Sequence, residues 1–323
     1  MTTSHAVVAT PETIALAAAH LRAGDLVAFP TETVYGLGAN ALDAAAVEKI
    51  FIAKRRPRSS PLIVHIADAQ DARKVVRLWP NAAELLARHF WPGPLTMVLP
   101  KSNAIPAIVS GDLDTVGVRL PEHPVARALI RAAGVPLAAP SANEFMQLSP
   151  TAASHVARSL AGRVAMILDG GNSDAGIEST VVSISAEGHV ELLRPGAIRR
   201  EQIERVLGTA VADAHWDKQG SAPSPGMHER HYAPHTPLRL VSRQSPLPDG
   251  AGALISLGTA RPNLPNDLTE IVLPAYPEAY ARGLYAALHS VDHPDHAWIA
   301  LEPPPQQPAW EAVNDRLRRA ASP

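Results

Sequence analysis

Cysteine is absent from this 323-residue sequence. Its absence excludes disulfides, thiolate nucleophiles and cysteine-ligated zinc sites, so the chemistry has to use oxygen, nitrogen or metal ligands. A positively charged segment followed by a long apolar run is also missing from the first 24 residues. Nowhere does a run of about 18 uninterrupted apolar residues occur. We therefore expect a cytoplasmic protein that does not associate with a membrane.

An excess of one charge is lacking as well. Lys and Arg number 29 against 31 Asp and Glu, a net charge of -2, and aromatic residues make up only 4% of the chain. Such a balance produces no global field that attracts nucleic acid or a membrane, so any anion site must be a local cluster of cations. The hydrophobic content of 46% is enough for the core of one large domain or of two unequal ones.

Common nucleotide-binding and nucleophile motifs are missing. No G-x-x-x-x-G-K-[ST] occurs, which excludes a P-loop, and no G-x-S-x-G elbow supports a serine nucleophile. The stretch YGLGANA matches the dinucleotide pattern at Gly36, Gly38 and Ala41. However, six residues separate the first glycine from the preceding strand, whereas that fingerprint needs its glycines in the turn directly after the strand. We therefore do not expect a nicotinamide or flavin site.

Apolar periodicity predicts alternating helices and strands from about residue 10 to residue 208. A helix with Thr10 as N-cap leads into the strand DLVAFP. The alternation then continues through the strands PLIVHI, LTMVLP, TVGVRLP, VPLAAP, AMILDGG, STVVSIS and VELLRPG. This alternation indicates an α/β layer fold in which one sheet can hold all of these strands. We assign residues 1–208 to this first domain.

The character of the chain changes after residue 208. Residues 209–237 show no sustained period and carry four prolines, which marks a linker or an ordered loop. Strand patterns in LRLVS, GALISL, EIVLPA and HAWIALE follow, together with helix patterns in PEAYARGLYAALHSVDH and AWEAVNDRLRRAAS. Residues 238–323 are therefore predicted to form a second, small α/β domain.

A dense basic cluster precedes the strand PLIVHI. Lys54, Arg55, Arg56 and Arg58 place four cations within five residues, among two prolines and two serines. Cations in the last turn of a helix complement its dipole, so a solvated helix end is one interpretation. The density of charge, the stiff prolines and the hydroxyl donors favour a preorganised anion cradle instead. His65, inside the strand, is either a satisfied core histidine or a ligand contact.

Polar residues also lie at the end of one predicted strand and within another. Thr31, Glu32 and Thr33 follow DLVAFP, at the sheet edge where α/β folds bind ligands, although a capped turn would use the same residues. Arg119 lies in the apolar strand TVGVRLP, where an arginine is usually an edge residue or half of an ion pair. The period of two places Thr115 and Arg119 on one face, as a reasonable pair for gripping a carboxylate and a phosphate.

Neutral donors and histidines form the remaining clusters. Ser141, Asn143 and Ser149 follow the strand VPLAA and are either ligand-binding donors or ordinary turn residues. The histidine spacings in HERHYAPH and HSVDHPDH superficially suggest metal ligands, but no supporting carboxylates accompany them and both stretches lie in proline-rich connections. We therefore expect surface histidines there and no metal held by protein ligands.

The order and spacing of seven stretches resemble the YrdC-like family of L-threonylcarbamoyl-adenylate synthases across roughly residues 10 to 205. These stretches are FPTETVYGLGANA, KRRPRSSPLIVHI, FWPGPLTMVLP, DTVGVRLP, APSANEFMQLSPT, GIESTVVSI and LLRPGAI. The family's K-x-R signature corresponds to residues 54–56 and its S-x-N signature to residues 141–143. SPGMHERHYAPHTP and the α/β tail resemble the long, two-domain form. The resemblance implies a large twisted open mixed sheet with helices and a smaller C-terminal Rossmann-like α/β domain. From the proline and glycine residues of SPGMHERHYAP we expect the linker to act as a hinged lid.

The resemblance further implies an activity and a set of site residues. Members of the family make threonylcarbamoyl-adenylate and pyrophosphate from L-threonine, bicarbonate or CO2, and ATP. By resemblance, Lys54 and Arg56 are catalytic. The implied threonine-binding residues are Thr33, His65, Arg119, Ala139 and Ser179. The implied ATP-binding residues are Arg56, Ser60, Thr115, Ser141, Asn143, Ser149, Arg194 and Tyr232.

Mg²⁺ is expected to arrive with ATP and without dedicated protein ligands. The expected partner is a downstream transferase complex that modifies tRNA, and direct tRNA binding stays open. The chain departs from the family at EFMQLSPT, where Ser-Gly is usual early in the stretch, and at Arg55, a place often held by Gly. Two alternatives remain: a carbamoyl-adenylate-forming domain with another acceptor, and a double-stranded RNA-binding module, which the low aromatic content and near-neutral charge disfavour.

Overall fold

The computed structural model describes residues 6–215, 224–227, 229–265 and 268–322. Within these ranges the strands are β1 Ala6–Val8, β2 Val27–Phe29, β3 Gly36–Asn40, β4 Ile63–His65, β5 Leu95–Pro100, β6 Thr115–Arg119, β7 Leu137–Ala138, β8 Met166–Asp169, β9 Thr180–Ile184, β10 Val190–Arg194, β11 Ala212–Asp213, β12 Leu238–Leu240, β13 Gly252–Leu257, β14 Thr269–Leu273 and β15 Trp298–Leu301. The α-helices are α1 Pro11–Arg22, α2 Ala44–Lys54, α3 Ala72–Val75, α4 Asn81–Phe90, α5 Ala107–Ser110, α6 Pro124–Ala133, α7 Ala153–Leu160, α8 Arg200–Leu207, α9 Pro277–Val291 and α10 Glu311–Ala320.

Capping residues in the sequence fix where the first helices begin and end. The Thr10 hydroxyl accepts from the Thr13 backbone N–H, and the Thr13 hydroxyl accepts from Thr10 in return, which closes a capping box before α1. The Asp43 carboxylate caps α2 by accepting from the backbone N–H groups of Ala45 and Ala46. Helix α2 ends at Arg55, whose φ of 54° is the left-handed conformation usually taken by glycine. The place where the family often carries Gly is therefore a backbone position that favours Gly.

The first 213 residues supply one mixed sheet of eleven strands, in the order β1-β8-β2-β3-β7-β4-β6-β5-β9-β10-β11. Strand side chains alternate between two buried clusters: Ala28 packs with α2, α4, α7 and α8, whereas Val27 and Phe29 pack with α1 and α6. Helices thus cover both faces of the sheet. The predicted α/β fold with a large mixed sheet is confirmed.

Besides the short elements β1, α3, α5 and β11, two longer elements were not predicted from the sequence. Strand β3 coincides with the glycine-rich stretch GLGAN, which has no apolar alternation to reveal a strand. A Cβ at Gly38 would lie 2.8 Å from the Phe29 ring, so the glycine makes room for that ring on the neighbouring strand β2. Helix α7 was the other omission, since its eight residues follow a long polar loop directly.

The C-terminal unit is a smaller parallel sheet in the order β12-β15-β13-β14. Helices α9 and α10 pack on one of its faces. The apolar cluster between them also contains Val34, Leu148 and Ile177 from the first unit, so the two units share one continuous buried surface. The predicted second, smaller α/β unit is confirmed.

The domain limits 1–208, 209–237 and 238–323 stay a prediction. Residues 216–223 and 228, within the predicted linker, lie outside the described residues. Among the residues that are described, no helix is long and apolar enough to cross a membrane.

Candidate active site

A small enclosed cavity lies between the large sheet and the linker. Its volume is about 50 Å³. Its wall combines the loop after β2, the ends of β4, β6 and β10, the loops that follow β7 and precede β9, and part of the linker. The predicted site residues in this wall are Thr33, Arg56, His65, Arg119, Ala139, Ser141, Ser179, Arg194 and Tyr232. Residues separated by almost 200 positions therefore meet at one place.

The parallel pairing of β4 and β6 brings His65 and Arg119 together at one end of the cavity. His65 ends β4 and Arg119 ends β6, and the two residues are partners in the register. Arg119 is buried, and its Nη2 donates to Glu32 Oε1 at 2.7 Å and to Thr33 Oγ1 at 2.9 Å. Burial, aided by the charge of Arg119, lowers the pKa of His65 to about 3, so its imidazole is neutral at pH 7. A buried guanidinium beside a neutral imidazole and a hydroxyl suits a small zwitterion.

The K-x-R signature supplies two buried basic residues: Arg56 lines the other end of the cavity, and Lys54 lies outside the cavity wall. Arg56 lies over the Phe145 ring, with its guanidinium carbon 5.4 Å from the ring centroid, and its Nη2 donates to the Pro61 carbonyl at 3.0 Å. Burial lowers the pKa of Arg56 to about 10, which leaves the group charged at neutral pH. Burial and the neighbouring Arg56 charge hold the pKa of Lys54 well below its usual value. Among the described residues, no carboxylate forms an ion pair with either cation.

Lys54 connects the two family signatures. Its Nζ donates to the Ser141 carbonyl at 2.6 Å and to the Asn143 carbonyl. The side chain of Asn143 in turn donates to the carbonyls of Glu144 and Gln147, both at 2.8 Å. The end of α2 and the S-x-N loop are thus held together by hydrogen bonds to backbone oxygens.

Arg194 connects β10 to the linker. Its Nη2 donates to the Ser179 carbonyl at 2.9 Å, and its Nη1 donates to the Pro225 carbonyl at 3.0 Å and to the Tyr232 hydroxyl at 3.4 Å. Gly226 has a φ of 82°, and a Cβ there would lie 2.1 Å from the Tyr232 hydroxyl oxygen. Only glycine therefore fits where the linker passes over Tyr232. This part of the linker forms the outer wall of the cavity.

Five predicted residues lie outside the cavity wall: Lys54, Ser60, Thr115, Asn143 and Ser149. The Ser60 carbonyl accepts from Arg56 Nε at 3.4 Å. Thr115 begins β6, half-buried, four residues before Arg119 and on the same side of the strand. The Ser149 hydroxyl donates to a carboxylate of the protein, that of Glu178. The assignment of Lys54 to catalysis and of the other four residues to ATP binding stays a prediction.

Sequence reasoning missed Glu178, which lines the cavity and connects it to the C-terminal unit. Its carboxylate accepts from Arg316 Nε at 2.7 Å and from the Tyr285 hydroxyl at 3.2 Å. Burial favours the neutral acid, but the guanidiniums of Arg316 and Arg194 overcome that effect and keep the pKa of Glu178 below its usual value.

Arg316 was also missed, although α10 contains a signal for it. Val313, Leu317 and Ala320 are buried, and their spacing places Arg316 on the same apolar face of the helix. An arginine on such a face needs a buried partner. Arg316 is 1% exposed, and its guanidinium carbon lies 5.1 Å from the Tyr232 ring centroid. It therefore supports the linker from behind.

The expectation of surface histidines is wrong for His231. This residue is only 5% exposed and packs 4.0 Å from the Tyr232 ring, measured between centroids. His289 stacks on His155 at 3.9 Å. His228 lies outside the described residues. In the ranges that the structure describes, no group of three His, Asp or Glu residues could hold a metal ion.

Comparison with known proteins identifies the family. A sequence model of Sua5, YciO and YrdC, described as telomere recombination, matches residues 19–196. A second one, described as the C-terminal domain of threonylcarbamoyl-AMP synthase, matches residues 198–322. The threonylcarbamoyl-AMP synthase of Bacillus subtilis is 44% identical over 321 residues, which cover 95% of this chain and 92% of that protein. This chain belongs to the Sua5/YciO/YrdC family.

The two-domain Sua5 form is found among solved structures too. Pyrococcus abyssi Sua5 in complex with L-threonine superposes with a TM-score of 0.87 at 39% identity, over 97% of this chain and 95% of that chain. The threonylcarbamoyl-AMP synthase of Pyrococcus abyssi is 50% identical over 230 residues, 71% of this chain and 67% of that protein. The predicted membership of the family, in its long form, is confirmed.

Proposed function

We propose that this protein is a nucleotidyltransferase that converts L-threonine, bicarbonate or CO2, and ATP into threonylcarbamoyl-AMP and pyrophosphate. One observation carries the proposal: a single buried cavity has a zwitterion-binding end, formed by Arg119, His65 and Thr33, and a cationic end that includes Arg56 and Arg194. The threonine named in the complex of Pyrococcus abyssi Sua5 supports the assignment of the first end.

The reaction asks the protein for positioning and electrostatics. The threonine amine attacks the carbon of CO2 and gives a carbamate after loss of a proton. A carbamate oxygen then attacks the α-phosphorus, and the bond to the bridging oxygen of pyrophosphate breaks. Negative charge moves onto the leaving pyrophosphate during this step, and cations fixed in advance stabilise that charge. In this protein Arg56 and Lys54 have no carboxylate partner among the described residues, so their charge is available for phosphate.

Phosphate binding would also reverse the effect of burial on Lys54. In the ligand-free protein, burial and Arg56 lower its pKa. An adjacent polyanion favours the protonated amine, so ATP binding would raise the pKa of Lys54. We infer that Lys54 keeps the loop of residues 141–143 in place and adds one positive charge near the phosphates.

The proposed reaction does not require a metal ion held by side chains of the protein. The cavity is lined by guanidiniums and hydroxyls, and its one carboxylate, Glu178, is occupied by Arg316 and Ser149. Such a donor set fits a Mg²⁺ ion carried by the triphosphate itself. The metal would supply further neutralisation of phosphate charge, and the protein would bind the metal complex of ATP as its substrate.

The linker has to move for ATP to bind. A cavity of about 50 Å³ is far smaller than the ~300 to 1,000 Å³ of typical ligand sites. Pro225, Gly226 and Tyr232 form its outer wall, so displacing them opens the cavity. We propose that the linker closes over the substrates and keeps water from the short-lived carbamate.

Two glycine variants test this closure. Gly226→Ala adds a Cβ where the Tyr232 hydroxyl lies, so we expect turnover to fall at least tenfold while L-threonine binding persists. Gly250→Ala is the matched control, because Gly250 has a similar φ of 88° and open space around it. Equal activities of the two variants would contradict the closure.

The activity is tested with purified protein, ATP, bicarbonate and single amino acids. Release of pyrophosphate that depends on L-threonine, with a product of the mass of threonylcarbamoyl-AMP, is the expected result. Pyrophosphate release without threonine would favour another acceptor, and RNA binding without turnover would favour an RNA-binding module. We further propose that a tRNA-modifying transferase consumes the product, since the mixed anhydride hydrolyses readily in water.

A further inference from the structure

Glu32 lies directly behind the zwitterion-binding end of the cavity and Thr31 lines its wall, and neither belongs to the set of site residues that the family resemblance implied. Glu32 is 6% exposed and Thr31 is 2% exposed. Both belong to the loop that follows β2, next to Thr33. Burial of a carboxylate and a hydroxyl costs free energy unless their hydrogen bonds are satisfied, so their partners show what they stabilise.

Both carboxylate oxygens of Glu32 accept hydrogen bonds from the protein. Oε1 accepts from Arg119 Nη2 at 2.7 Å, and Oε2 accepts from the Glu122 backbone N–H at 3.1 Å. Glu32 itself is not part of the cavity wall, and its side chain borders a separate cleft between the two units. It therefore acts on a bound amino acid only through Arg119, by holding the guanidinium in one orientation.

Arg119 keeps unused donor capacity in this orientation. Its Nη2 serves Glu32 and Thr33, whereas its buried Nε has no partner among the described residues. A buried N–H without a partner is costly, and a ligand acceptor would remove that cost. The guanidinium is thus prepared to donate to an incoming carboxylate.

The hydrogen bonds of Thr31 leave the Thr33 hydroxyl as an acceptor for the ligand, whereas Arg119 is a donor. Thr31 Oγ1 donates its one proton to the Val34 carbonyl at 2.6 Å. In the 2.9 Å bond between the two hydroxyls, Thr33 is therefore the donor and Thr31 the acceptor. Thr33 Oγ1 already accepts from Arg119, so only a lone pair of Thr33 is left for a ligand. A carboxylate could not bind there, but an ammonium or a hydroxyl could.

We propose that Glu32 and Thr31 are positioning residues that set the polarity of the amino-acid subsite, with Arg119 as its donor and Thr33 as its acceptor. Glu32 lies outside the cavity wall, and Thr31 lines it but has already donated its hydroxyl proton to the Val34 carbonyl, so each acts on the amino acid through its neighbour. The carboxylate of the amino acid binds at Arg119, and its ammonium or hydroxyl binds at Thr33. This inference rests on the proposed function, since it concerns the threonine end of the same cavity.

Glu32→Gln tests the first half of the proposal. The variant keeps the shape of the side chain but weakens a charge-assisted hydrogen bond, so we expect KM for L-threonine to rise about tenfold. KM for ATP should stay within about twofold, because the phosphate end is untouched. The preference for L-threonine over L-threoninamide, which lacks the carboxylate, should shrink. Glu122→Gln is the matched control, because Glu122 offers Glu32 only its backbone N–H and its side chain is exposed.

Thr31→Val and Thr31→Ser test the second half. Valine removes the acceptor that orients the Thr33 hydroxyl, and serine keeps it. We expect a rise of about fivefold in KM for L-threonine for the valine variant and near-normal values for the serine variant. Rescue by serine distinguishes an oriented hydroxyl from a requirement for bulk.

Calorimetric titration of each variant with L-threonine alone decides the inference without turnover, and an ATP-induced rise in Tm shows that the variant is folded. Weaker threonine binding in Glu32→Gln and Thr31→Val, with the ATP-induced rise retained, is the expected result. Unchanged threonine binding, or equal losses for threonine and ATP, would overturn the inference. If the wild type binds threonine as described but forms no threonylcarbamoyl-AMP, the proposed function fails and the inference about the subsite does not.

Discussion

Arg316 and Arg56 are both buried near Tyr232, but their positive charges have different partners. Arg316, in the C-terminal unit, forms ion pairs with Glu178 at 2.7 Å and with Asp315 at 3.0 Å. Among the described residues, Arg56 of the large-sheet unit donates to backbone carbonyls alone, and it packs on an aromatic ring. Burying an unpaired charge costs far more than burying a paired one. The difference indicates that Arg316 holds the fold together, whereas Arg56 is kept for an anionic ligand.

Removing Arg316 should have the largest effect on stability. Arg316→Met leaves Glu178 buried without its ion-pair partner, while Asp315 keeps Arg318 and Arg319, so we expect a loss of about 3 to 5 kcal/mol in the free energy of unfolding. Urea denaturation measures it. The double variant Glu178→Gln, Arg316→Met should recover part of the loss, because it removes the unpaired charge. A loss below about 1 kcal/mol would erase the contrast between the two groups.

Arg56→Ala should have the opposite effect, a large loss of activity with little loss of stability. We expect kcat to fall by about 10² to 10³, because a preorganised charge aimed at the phosphates is lost. The free energy of unfolding should change by less than about 1 kcal/mol, because removal of the costly burial of a cation offsets the lost contacts. Pyrophosphate release and urea denaturation measure the two effects. Arg55→Ala is the control, since that neighbouring side chain is 77% exposed, and activity should stay within about twofold. A loss of stability without a loss of activity would assign Arg56 to the fold.

Two histidines between the units, His155 and His289, should make the stability of the protein depend on pH. Burial, together with the neighbouring His289, lowers the pKa of His155 to about 3, and burial lowers that of His289 to about 4. Unfolded histidines titrate near 6.5, so between pH 6.5 and about 4 the unfolded chain binds protons that the folded chain does not. Stability is therefore present at pH 7 and decreases as the pH falls through this window.

The Tm measured from pH 7 to pH 4.5 tests this dependence. His65, with a pKa lowered to about 3, contributes in the same direction from the cavity. His155→Phe keeps a ring against His289 and removes one of the buried histidines whose pKa is lowered, so the slope should decrease. His235→Phe, at an exposed position, is the control and should leave most of the slope. A slope unaffected by His155→Phe would show that the stacked pair does not titrate in this way.

The smallest effect is expected at Arg55. Arg55→Gly relieves a φ of 54° at the end of α2, which should stabilise the protein by roughly 0.5 to 1 kcal/mol. The loss of its exposed ion pair with Glu144, 3.5 Å apart, offsets only part of this gain. Thermal unfolding and pyrophosphate release should show a slightly higher Tm and unchanged activity. Lower activity would indicate that Arg55 belongs with Arg56.

The sequence was most informative where the structure is local. Strand β5 occupies the residues that periodicity predicted, and Thr10 caps α1 as predicted, because spacing and capping depend on neighbours within one or two turns. Strand β3 was missed for the converse reason. Its glycines have no pattern of their own and are explained only by the Phe29 ring on the next strand.

Long-range pairing decided the rest of the site. The order of the motifs identified the family, but nothing near Arg316 in the sequence names Glu178, which is 138 residues away. The sequence favoured a surface position for His231. In the structure its ring packs against Tyr232, and its backbone N–H donates to the Arg319 carbonyl of the C-terminal unit. Both contacts depend on how the C-terminal unit packs against the large sheet.

The sequence by itself determined most of the α/β elements, the family and the basic cluster at residues 54–58. Only the tertiary structure decided which cations are neutralised and which way the hydroxyl of Thr33 points. The physical reason is that a charge or a hydroxyl acquires its role from its partners. The register of β4 and β6 and the packing of α10 supply those partners from distant parts of the chain.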